Sequence, residues 1–344
     1  MKVKIGELTK IKTGKLDANA ASEDGQYPFF TCSKEPLRIS TYSYDCECVL
    51  VAGNGDLNVK YYNGKFDAYQ RTYIIEDNGS GKLYMPYLYY FMEGYIEELR
   101  KQAIGGVIKY IKLGNLTDAL IELPSVDEQK SIVEILVKAK GILEKRNDEL
   151  NALDNLIKAR FVEMFGDPII NSKYLETKKL KDMLILKAGD FTAASDISDI
   201  QTETNPYPCY GGNGIRGYVS EYNQEGEYSL IGRQGALSGN IQFASGKFKN
   251  TEHALLVTPI VEINTIWLNQ LLLNLDLKRY QTGAAQPGLS VKNLQEISII
   301  IVPMVEQNQF ADFVRAVDKS KVAVQKALDE AQLLFDSLMQ QYFG

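Results

Sequence analysis

The chain has 344 residues, a formal net charge of −6, 45% hydrophobic residues and 24% charged residues. These values are typical of globular proteins and exclude a fibrous or intrinsically disordered chain. Because one domain usually takes about 150 residues, the length predicts two domains. No run of about 18 apolar residues occurs, so we expect no membrane span. The first residues lack an apolar signal segment, which favours a cytoplasmic protein.

Cysteine and histidine usage predicts neither a disulfide scaffold nor a metal site. The four cysteines, at positions 32, 46, 48 and 209, are too few and too irregular for a disulfide framework. Cys46 and Cys48 would share one face of a strand, but no second pair completes a zinc site. The single histidine, His253, excludes a multi-histidine metal site within one chain. We interpret it as a surface or half-buried residue rather than a catalyst.

The chain contains two copies of one long segment. The matching pieces are PSVDEQ (124–129) with PMVEQ (303–307), FVEMFG (161–166) with LMQQYFG (338–344), and NGKFDAYQRTYII (63–75) with SGKFKNTEHALLV (245–257). Gln129 and Gln307 are 178 residues apart, and so are Gly166 and Gly344. Two copies at this long period indicate a tandem duplication rather than a solenoid, which would need shorter periods and at least three copies.

Each copy begins with a region of predicted short strands. Apolar or alternating runs bounded by Gly, Asn and Asp are typical of strands. Such runs occur at 49–52, 73–75, 121–123 and 297–302. The dipeptides Asn63-Gly64 and Ser245-Gly246 lie between strand-like runs and predict the turn of a β-hairpin in each copy. Apolar residues at helical spacing predict one helix at 86–101 and another at 265–281.

A long helix is predicted at the end of each copy. Each begins after a proline, Pro124 or Pro303, and stops at a glycine, Gly166 or Gly344. Apolar residues spaced by seven form a seam of coiled-coil type, so we expect helix 127–165 to pack against helix 305–343. The seam residues are Leu136, Leu143, Leu150, Leu153 and Ile157 in the first helix and Val314, Val324, Leu328, Phe335 and Leu338 in the second. A plain dimerisation coiled coil remains an alternative for this segment.

No reaction centre is recognisable in the sequence. Neither a Walker phosphate loop nor a G-x-G-x-x-G motif after a strand occurs. The glycine-rich segments 52–56 and 211–214 are predicted as tight turns. The segment 205–208 (NPYP) is similar to the Asn-Pro-Pro-Tyr loop of DNA amino-methyltransferases, but its second proline is misplaced and no cofactor-binding glycine motif precedes it. We therefore predict a protein that recognises a partner, without catalytic residues or cofactor.

Taken in order, the duplicated motifs resemble the specificity subunit of type I restriction–modification enzymes over essentially the whole chain. The alternation of domain and long helix, the helix entries PSVDEQ and PMVEQ, and FGDP at 165–168 carry this resemblance. The openings IGELTKIKTGK (5–15) and LKDMLILKAGD (180–190) and the turns AGNGD (52–56) and GRQGALSGN (232–240) also fit.

The resemblance implies an α+β fold with pseudo-two-fold symmetry. It implies two similar target-recognition domains, predicted at 1–125 and 167–304. Each is followed by a spacer helix, at 126–166 and 305–344, and the helices pack as an antiparallel coiled coil. In that family each domain reads one half of a bipartite double-stranded DNA target. The helices set the spacing and dock two methyltransferase subunits, motor–nuclease subunits join the complex, and the specificity subunit itself is not an enzyme.

The candidate DNA-binding residues lie around the predicted hairpins and in two basic stretches without acids, between Glu98 and Asp118 and between Asp276 and Glu296. Arg and Lys can donate to guanine, and Gln and Asn can pair with adenine. The hairpin candidates are Lys60, Tyr62, Lys65, Gln70 and Arg71 in the first copy and Arg216, Arg233, Gln234, Lys247, Lys249 and Asn250 in the second. The predicted phosphate contacts are Arg100, Lys101, Lys109, Lys112, Lys278, Arg279 and Lys292, and Gln286 belongs to a further loop expected near DNA.

Two alternatives stay open at this point. Any single candidate can be an ordinary solvated side chain. The whole chain can be a tandem-domain scaffold that binds protein through its helices without DNA readout. The net charge of −6 argues weakly against nucleic-acid binding, because such proteins often carry a basic excess.

Overall fold

The structure is a computed structural model that describes residues 2–235, 237–283 and 288–344. The chain divides into two compact units. Unit 1 comprises Met1–Asn147 and Lys326–Gly344, and unit 2 comprises Asp148–Gln325. Across the described ranges, no helix is both long enough and apolar enough to cross a membrane.

Unit 1 is built on a six-stranded sheet with helices on one face. Its strands are β1 (Lys2–Lys4), β2 (Thr9–Thr13), β3 (Tyr27–Phe30), β4 (Leu37–Ile39), β5 (Tyr44–Ala52), β6 (Val59–Ala68), β7 (Thr72–Asp77) and β8 (Leu120–Glu122). Its helices are α1 (Ile5–Leu8), α2 (Met85–Gln102), α3 (Leu113–Thr117) and the start of the long α4 (Val126–Phe165). The sheet order is β2–β7–β5–β6–β3–β4, and β1 pairs separately with β8. Its pairs are antiparallel except β3–β6, which is parallel.

The central strands of unit 1 are apolar on both faces, because each face covers its own cluster of side chains. Successive side chains of a strand point to opposite faces. Val49 and Val51 of β5 and Ile75 of β7 therefore join the core formed with α2. Leu50 and Ile74 point the other way into a smaller cluster. The strands accordingly read as continuous apolar runs rather than alternating ones.

Unit 2 repeats this architecture strand for strand. Its strands are β9 (Thr177–Lys179), β10 (Leu184–Ala188), β11 (Tyr207–Gly211), β12 (Gly214–Val219), β13 (Gln224–Gly232), β14 (Ile241–Asn250), β15 (Ala254–Pro259) and β16 (Ser298–Ile300). Its helices are α5 (Thr265–Asn274), α6 (Val291–Gln295) and the start of the long α7 (Met304–Phe343). The sheet order is β10–β15–β13–β14–β11–β12, and β9 pairs with β16. The predicted tandem of two similar mixed domains, each followed by a long helix, is confirmed.

The predicted hairpin turns are wrong. Asn63-Gly64 and Ser245-Gly246 lie inside the continuous strands β6 and β14, paired with β5 and β13. Glycine tolerates the positive φ values found there, 138° at Gly64 and 76° at Gly246, without ending the strand. The chain instead reverses between β5 and β6 and between β13 and β14, where the glycine-rich motifs at 52–56 and 232–240 occur in the sequence.

The helix predicted at 265–281 is interrupted. α5 ends at Asn274, Asp276 adopts a left-handed conformation with φ of 47°, and a short 3₁₀ turn covers Leu277–Tyr280. Leu275 and Leu277 are both buried, two positions apart. A regular helix would point these two side chains in different directions, so the break at Asp276 allows both to enter the core. Asp is among the few residues that adopt this conformation readily.

Both long helices begin and end within one residue of the limits predicted for them, and each contains 40 residues. Gly166 follows α4 with φ of 77°, the left-handed conformation that commonly ends a helix. At the start of α4, Ser125 N donates to Glu128 Oε2 at 2.9 Å and Glu128 N donates to Ser125 Oγ at 3.4 Å. This reciprocal pair is a capping box, and it explains the first part of the PSVDEQ motif.

In unit 2 the two long helices run antiparallel. Lys321 of α7 pairs with Asp154 of α4 at 2.6 Å, and the rings of Phe310 and Phe161 are 5.4 Å apart. Residue numbers therefore fall along α7 as they rise along α4. The same phenylalanines pack around the fully buried Trp267 of α5, so this helix pair is part of the domain core.

The seam residues differ in burial. Leu136, Ile157 and Val314 are buried. The half-buried seam residues are Leu143, Leu150, Leu153, Val324, Leu328, Phe335 and Leu338. Leu136 belongs to the core around α2, whereas Ile157 and Val314 belong to the core around α5. The apolar stripes therefore also bury against the domains, which heptad spacing alone did not indicate.

Candidate nucleic-acid interface

Three loops of unit 1 meet at one end of the six-stranded sheet. They are residues 53–58, 69–71 and 103–111, and we call them loop cluster 1. Gly53 lies at their centre, because its N–H donates to Arg71 O at 2.8 Å and its carbonyl accepts from Ile111 N at 2.9 Å. These backbone hydrogen bonds join segments that are distant in sequence, and they fix where the loop side chains emerge.

Loop cluster 1 surrounds an open cleft. Asn54, Arg71, Ile108 and Tyr110 line it, and its volume is about 420 Å³. Arg71 and Tyr110 are exposed and Asn54 is half-buried. One amide, one guanidinium and one aromatic ring thus face a common concave surface, and all three groups can contact a nucleobase.

Unit 2 repeats this arrangement with different side chains. Arg233 N donates to His253 O at 3.0 Å, and Arg233 O accepts from Leu289 N at 2.9 Å, so Arg233 occupies the place of Gly53. Gln234 forms a bridge with Gly288, as Asn54 does with Tyr110. We call residues 233–235 with 237–240, 251–253, and 282–283 with 288–289 loop cluster 2.

The two clusters place the same kinds of group at equivalent points. Gln234 stands where Asn54 stands, and His253 stands where Arg71 stands. Each cluster therefore places a side-chain amide, Asn54 or Gln234, on a loop beside one that carries a guanidinium (Arg71) or an imidazole (His253). An amide can make two hydrogen bonds to adenine and a guanidinium two to guanine, while different residues at these positions would favour different bases.

The structure brings some predicted residues to these clusters. Gln70, Arg71 and Lys109 are exposed in loop cluster 1. Arg233 and Gln234 belong to loop cluster 2, where Gln234 is the more exposed.

Arg100 and Lys101 are engaged in ion pairs within unit 1. Arg100 Nη2 lies 2.8 Å from Asp56 Oδ1 and its Nη1 lies 2.5 Å from Glu97 Oε1. Lys101 Nζ lies 3.4 Å from Glu98 Oε2. Glu97 and Glu98 just before this basic stretch, and Asp56 from another loop, thus neutralise part of its charge. The absence of acids within the stretch itself did not indicate these ion pairs.

Lys65 and Lys247 lie outside the loop clusters, four residues before residues 69 and 251. Lys65 pairs in register with Asp45, at the end of β5 opposite the 53–58 loop. Lys65 Nζ lies 4.6 Å from the Tyr42 ring centre, and Lys247 Nζ lies 4.8 Å from that of Tyr222. Hydrogen bonding to these tyrosines raises the pKa of both lysines, so both remain cationic.

Several predicted residues are partly or wholly inside the domains. Asn250 is only 1% exposed, and its place among the predicted base contacts is wrong because a buried amide cannot reach a base edge. The Tyr62 ring packs 5.1 Å from that of Phe30. Lys60 is half-buried, and burial lowers the pKa of its ammonium group. Lys249 is mostly buried and lies 3.8 Å from Asp190.

The remaining predicted residues are on the surface. They are Arg216, Lys112, Lys278, Arg279 and Lys292. Gln286 lies outside the described residues. Over the part of the chain that the structure describes, no group of His, Cys, Asp or Glu side chains is arranged to hold a metal ion.

Sequence reasoning missed Asn54, Tyr110 and His253. A signal for His253 was present, because aligning NGKFDAYQR with SGKFKNTEH places His253 opposite Arg71. A signal for Asn54 was also present, since the AGNGD and GRQGA turns align Asn54 with Gln234.

The duplicated mixed domains, their long helices and their paired loop clusters define a protein of tandem two-domain architecture. Residues 1–152 and 173–331 match the type I restriction modification DNA specificity domain. The chain therefore belongs to that family, and both of its copies are covered by the match.

Individual relatives agree with this assignment, and a solved structure has the same fold. The chain is 42% identical over 156 residues to the Escherichia coli type I restriction enzyme EcoDI specificity subunit, covering 45% of this chain and 34% of that protein. It is 34% identical over 232 residues to the Escherichia coli EcoprrI specificity subunit, covering 64% and 57%. The chain thus spans between a third and three-fifths of these curated relatives. The crystal structure of the type I restriction–modification S subunit from M. genitalium has the same fold, with a TM-score of 0.64, 19% identity and coverage of 100% and 96%.

Proposed function

We propose that this chain is the sequence-specific DNA-recognition subunit of a type I restriction–modification complex, and that each domain reads one half of a bipartite double-stranded target. The observation that carries the proposal is that equivalent loops of the two units carry the same combination of groups. In unit 1 these are the amide of Asn54 and the guanidinium of Arg71. In unit 2 they are the amide of Gln234 and the imidazole of His253. Membership of the specificity-domain family supports the same function.

Base readout is assigned to the loop clusters and phosphate contact to the surrounding exposed cations. Residues 1–125 and 167–304 are the proposed recognition domains. The proposed base-reading side chains are Asn54, Gln70 and Arg71 in unit 1 and Arg233, Gln234 and His253 in unit 2. Lys109, Lys112, Lys278, Arg279 and Lys292 are proposed phosphate contacts, since such contacts position a protein on DNA without selecting sequence.

The long helices are the proposed spacer and docking elements, at 126–166 and 305–344. A 40-residue helix is about 60 Å long, which exceeds the distance of about 34–36 Å between half-sites one turn of DNA apart. Ile135 and Ile142 of α4, seven residues apart in unit 1, are both exposed. This apolar pair is suited to contact a helix of a methyltransferase subunit.

In this proposal the chain performs no chemistry itself. Two methyltransferase subunits supply the reaction, motor–nuclease subunits join them, and the complex acts on DNA in the cytoplasm. The net charge of −6 is compatible with this role, because partner subunits can supply much of the positive charge that faces phosphates. Base readout remains with this chain.

The test is a methylome of cells that express the chain with its methyltransferase. We expect one bipartite methylated motif. Replacing residues 1–125 by the same region of a relative should change only one half of that motif, and replacing residues 167–304 only the other. Both halves changing together would contradict independent readout. A chain that binds its protein partners yet produces no methylated motif would favour the protein-binding scaffold.

A further inference from the structure

One loop of unit 1 presents a large apolar tip to solvent. Val107 is fully exposed and Ile108 is 62% exposed, and Ile104 and Tyr110 of the same loop are also exposed. Single exposed apolar side chains are common, but four in one seven-residue loop form a patch that indicates a contact surface. We call residues 104–110 the finger.

The finger has a rigid base. Ile104 N donates to Tyr110 O at 3.0 Å, and Tyr110 N donates to Ile104 O at 2.8 Å. Lys109 O accepts from Gly55 N at 3.0 Å, which joins the finger to the neighbouring loop. Gly105 has φ of 119°, and a Cβ there would lie 2.5 Å from Ile108 O, so the loop can close only with glycine at this position.

The surroundings of the finger are positively charged. No acid occurs between Glu98 and Asp118, whereas Lys109 and Lys112 are exposed. Arg71 lines the cleft that Ile108 also lines. Asp56 of the adjacent loop is paired with Arg100 at 2.8 Å. An apolar tip within a cationic rim matches duplex DNA, whose phosphates surround an apolar base stack.

We propose that the finger is an apolar wedge, in which Val107 and Ile108 insert between two base pairs of the half-site bound by unit 1. The inference rests on the proposed DNA-reading function. Apolar side chains that insert in this way unstack one base step and bend the duplex by about 20–90°. Lys109 and Arg71 contact the flanking phosphates and base edges.

The wedge belongs to unit 1 alone. The corresponding sequence in the second copy, residues 284–287, reads AAQP and offers no large aliphatic side chain; it lies outside the described residues. The proposal therefore predicts a distorted base step in one half-site only.

The experiment uses the full chain assembled with its methyltransferase, and 30-base-pair duplexes that carry the motif identified by methylome sequencing. Each duplex has 2-aminopurine at one position of either half-site, because the emission of this base rises when it unstacks. The methylated base is left unlabelled, since methyltransferases extrude their target base. Affinity is measured separately on duplexes without 2-aminopurine.

We expect a several-fold rise in emission at one step of the half-site assigned to residues 1–125. The double variant Val107→Ser/Ile108→Ser should lose this rise and bind about tenfold more weakly, with an unchanged salt dependence because no charge is removed. The matched control is Ile170→Ser, an exposed isoleucine of unit 2, which should leave both quantities unchanged.

Four outcomes would overturn the wedge. The first is a wild-type complex that binds its motif without unstacking any unmethylated position. The second is a double variant that retains both the emission change and the affinity. The third is a double variant that no longer co-purifies with the methyltransferase, which would make the finger a protein contact. Finally, a wild-type complex that yields no methylated motif would overturn the proposed function and the wedge together.

Discussion

The side-chain oxygen of Gln129 accepts a hydrogen bond from the backbone N–H of Tyr84 at 2.8 Å. Its Nε2 donates to Lys82 O at 2.8 Å and to Pro124 O at 3.0 Å. The glutamine that ends PSVDEQ therefore fastens the start of α4 to the start of α2. Gln307 repeats the contact in unit 2, where its Oε1 accepts from Asn264 N at 2.8 Å. The motif glutamines are structural residues.

Gln307→Ala should destabilise unit 2 by about 2–3 kcal/mol, because the N–H of Asn264 and the carbonyl of Val302 lose a buried partner. Urea unfolding followed by tryptophan fluorescence measures this, since Trp267 is the single tryptophan and lies in the unit 2 core. The exposed Gln309→Ala, two positions along the same helix, should change the free energy of unfolding by less than about 0.5 kcal/mol. Equal effects of the two substitutions would contradict the assigned role.

Replacing the side chains at two neighbouring positions of α4 by alanine should have very different effects on stability. Leu136 is fully buried and Val137 is exposed. Leu136→Ala should cost about 2–4 kcal/mol, through lost burial and the cavity left behind. Val137→Ala should be close to neutral, because alanine has the higher helix propensity. Differential scanning calorimetry of both variants measures the contrast, and a Val137→Ala protein that melts as early as Leu136→Ala would show that this face of α4 is covered.

The stability of unit 2 should depend on Glu296 in a defined pH range. Hydrogen bonds from Lys179 at 2.5 Å and Lys181 at 2.7 Å lower the pKa of Glu296 to about 2 from about 4.5. Because the folded-state pKa is depressed, the stabilisation is complete above pH 4.5 and is lost as the pH falls towards 2.

Glu296→Gln should therefore lower the urea midpoint at pH 7, and the difference from the wild type should shrink as the pH approaches 2. The matched control is Glu262→Gln, an exposed glutamate of the same unit. A Glu296→Gln difference that stays constant from pH 7 to pH 3 would show that the carboxylate charge is not responsible.

The spacer proposal predicts that lengthening both helices widens the gap in the target. Asp154 and Lys321 lie opposite each other, so four residues inserted after Asn151 and four after Val324 extend the antiparallel pair at one level. Four residues add about 6 Å of helix, close to two base pairs at about 3.4 Å each, and coiled coils tolerate such insertions. The methylated motif should keep its two halves and gain about two base pairs between them. An active enzyme with the original gap would contradict the spacer role.

Arg71 and Lys112 should affect DNA binding in distinct ways. Arg71 lines the cleft with Asn54, so Arg71→Ala should relax one position of the methylated motif and cost about 1–3 kcal/mol on the cognate duplex. Lys112→Ala should weaken binding to all sequences and reduce the salt slope by about 1. Arg315→Ala, on the exposed surface of α7, is the control for a lost arginine charge. An unchanged motif with Arg71→Ala would remove this residue from base readout.

Much of the architecture was predictable because its signals are local. Pro124 and Pro303 precede the long helices and Gly166 follows the first one, and these positions report helix ends through the conformations that each residue type allows. The 178-residue offset predicted two helices of equal length, and both have 40 residues. The turn predicted at Asn63-Gly64 was wrong because a non-local contact decides the structure there. Asn63-Gly64 locally favours a turn, and only the pairing with β5 overrides that preference.

The sequence by itself determined the duplication, the two long helices and the types of side chain available, because periodicity and backbone preference act over a few neighbouring residues. The tertiary structure alone decided which of those side chains share a surface. Asn54, Arg71 and Tyr110 meet around one cleft because Gly53, through the hydrogen bond that its N–H donates and the one that its carbonyl accepts, joins three loops. The same kind of long-range packing buries Asn250, which the sequence placed among the base contacts. Such contacts depend on strand pairing between distant segments, and no local pattern specifies it.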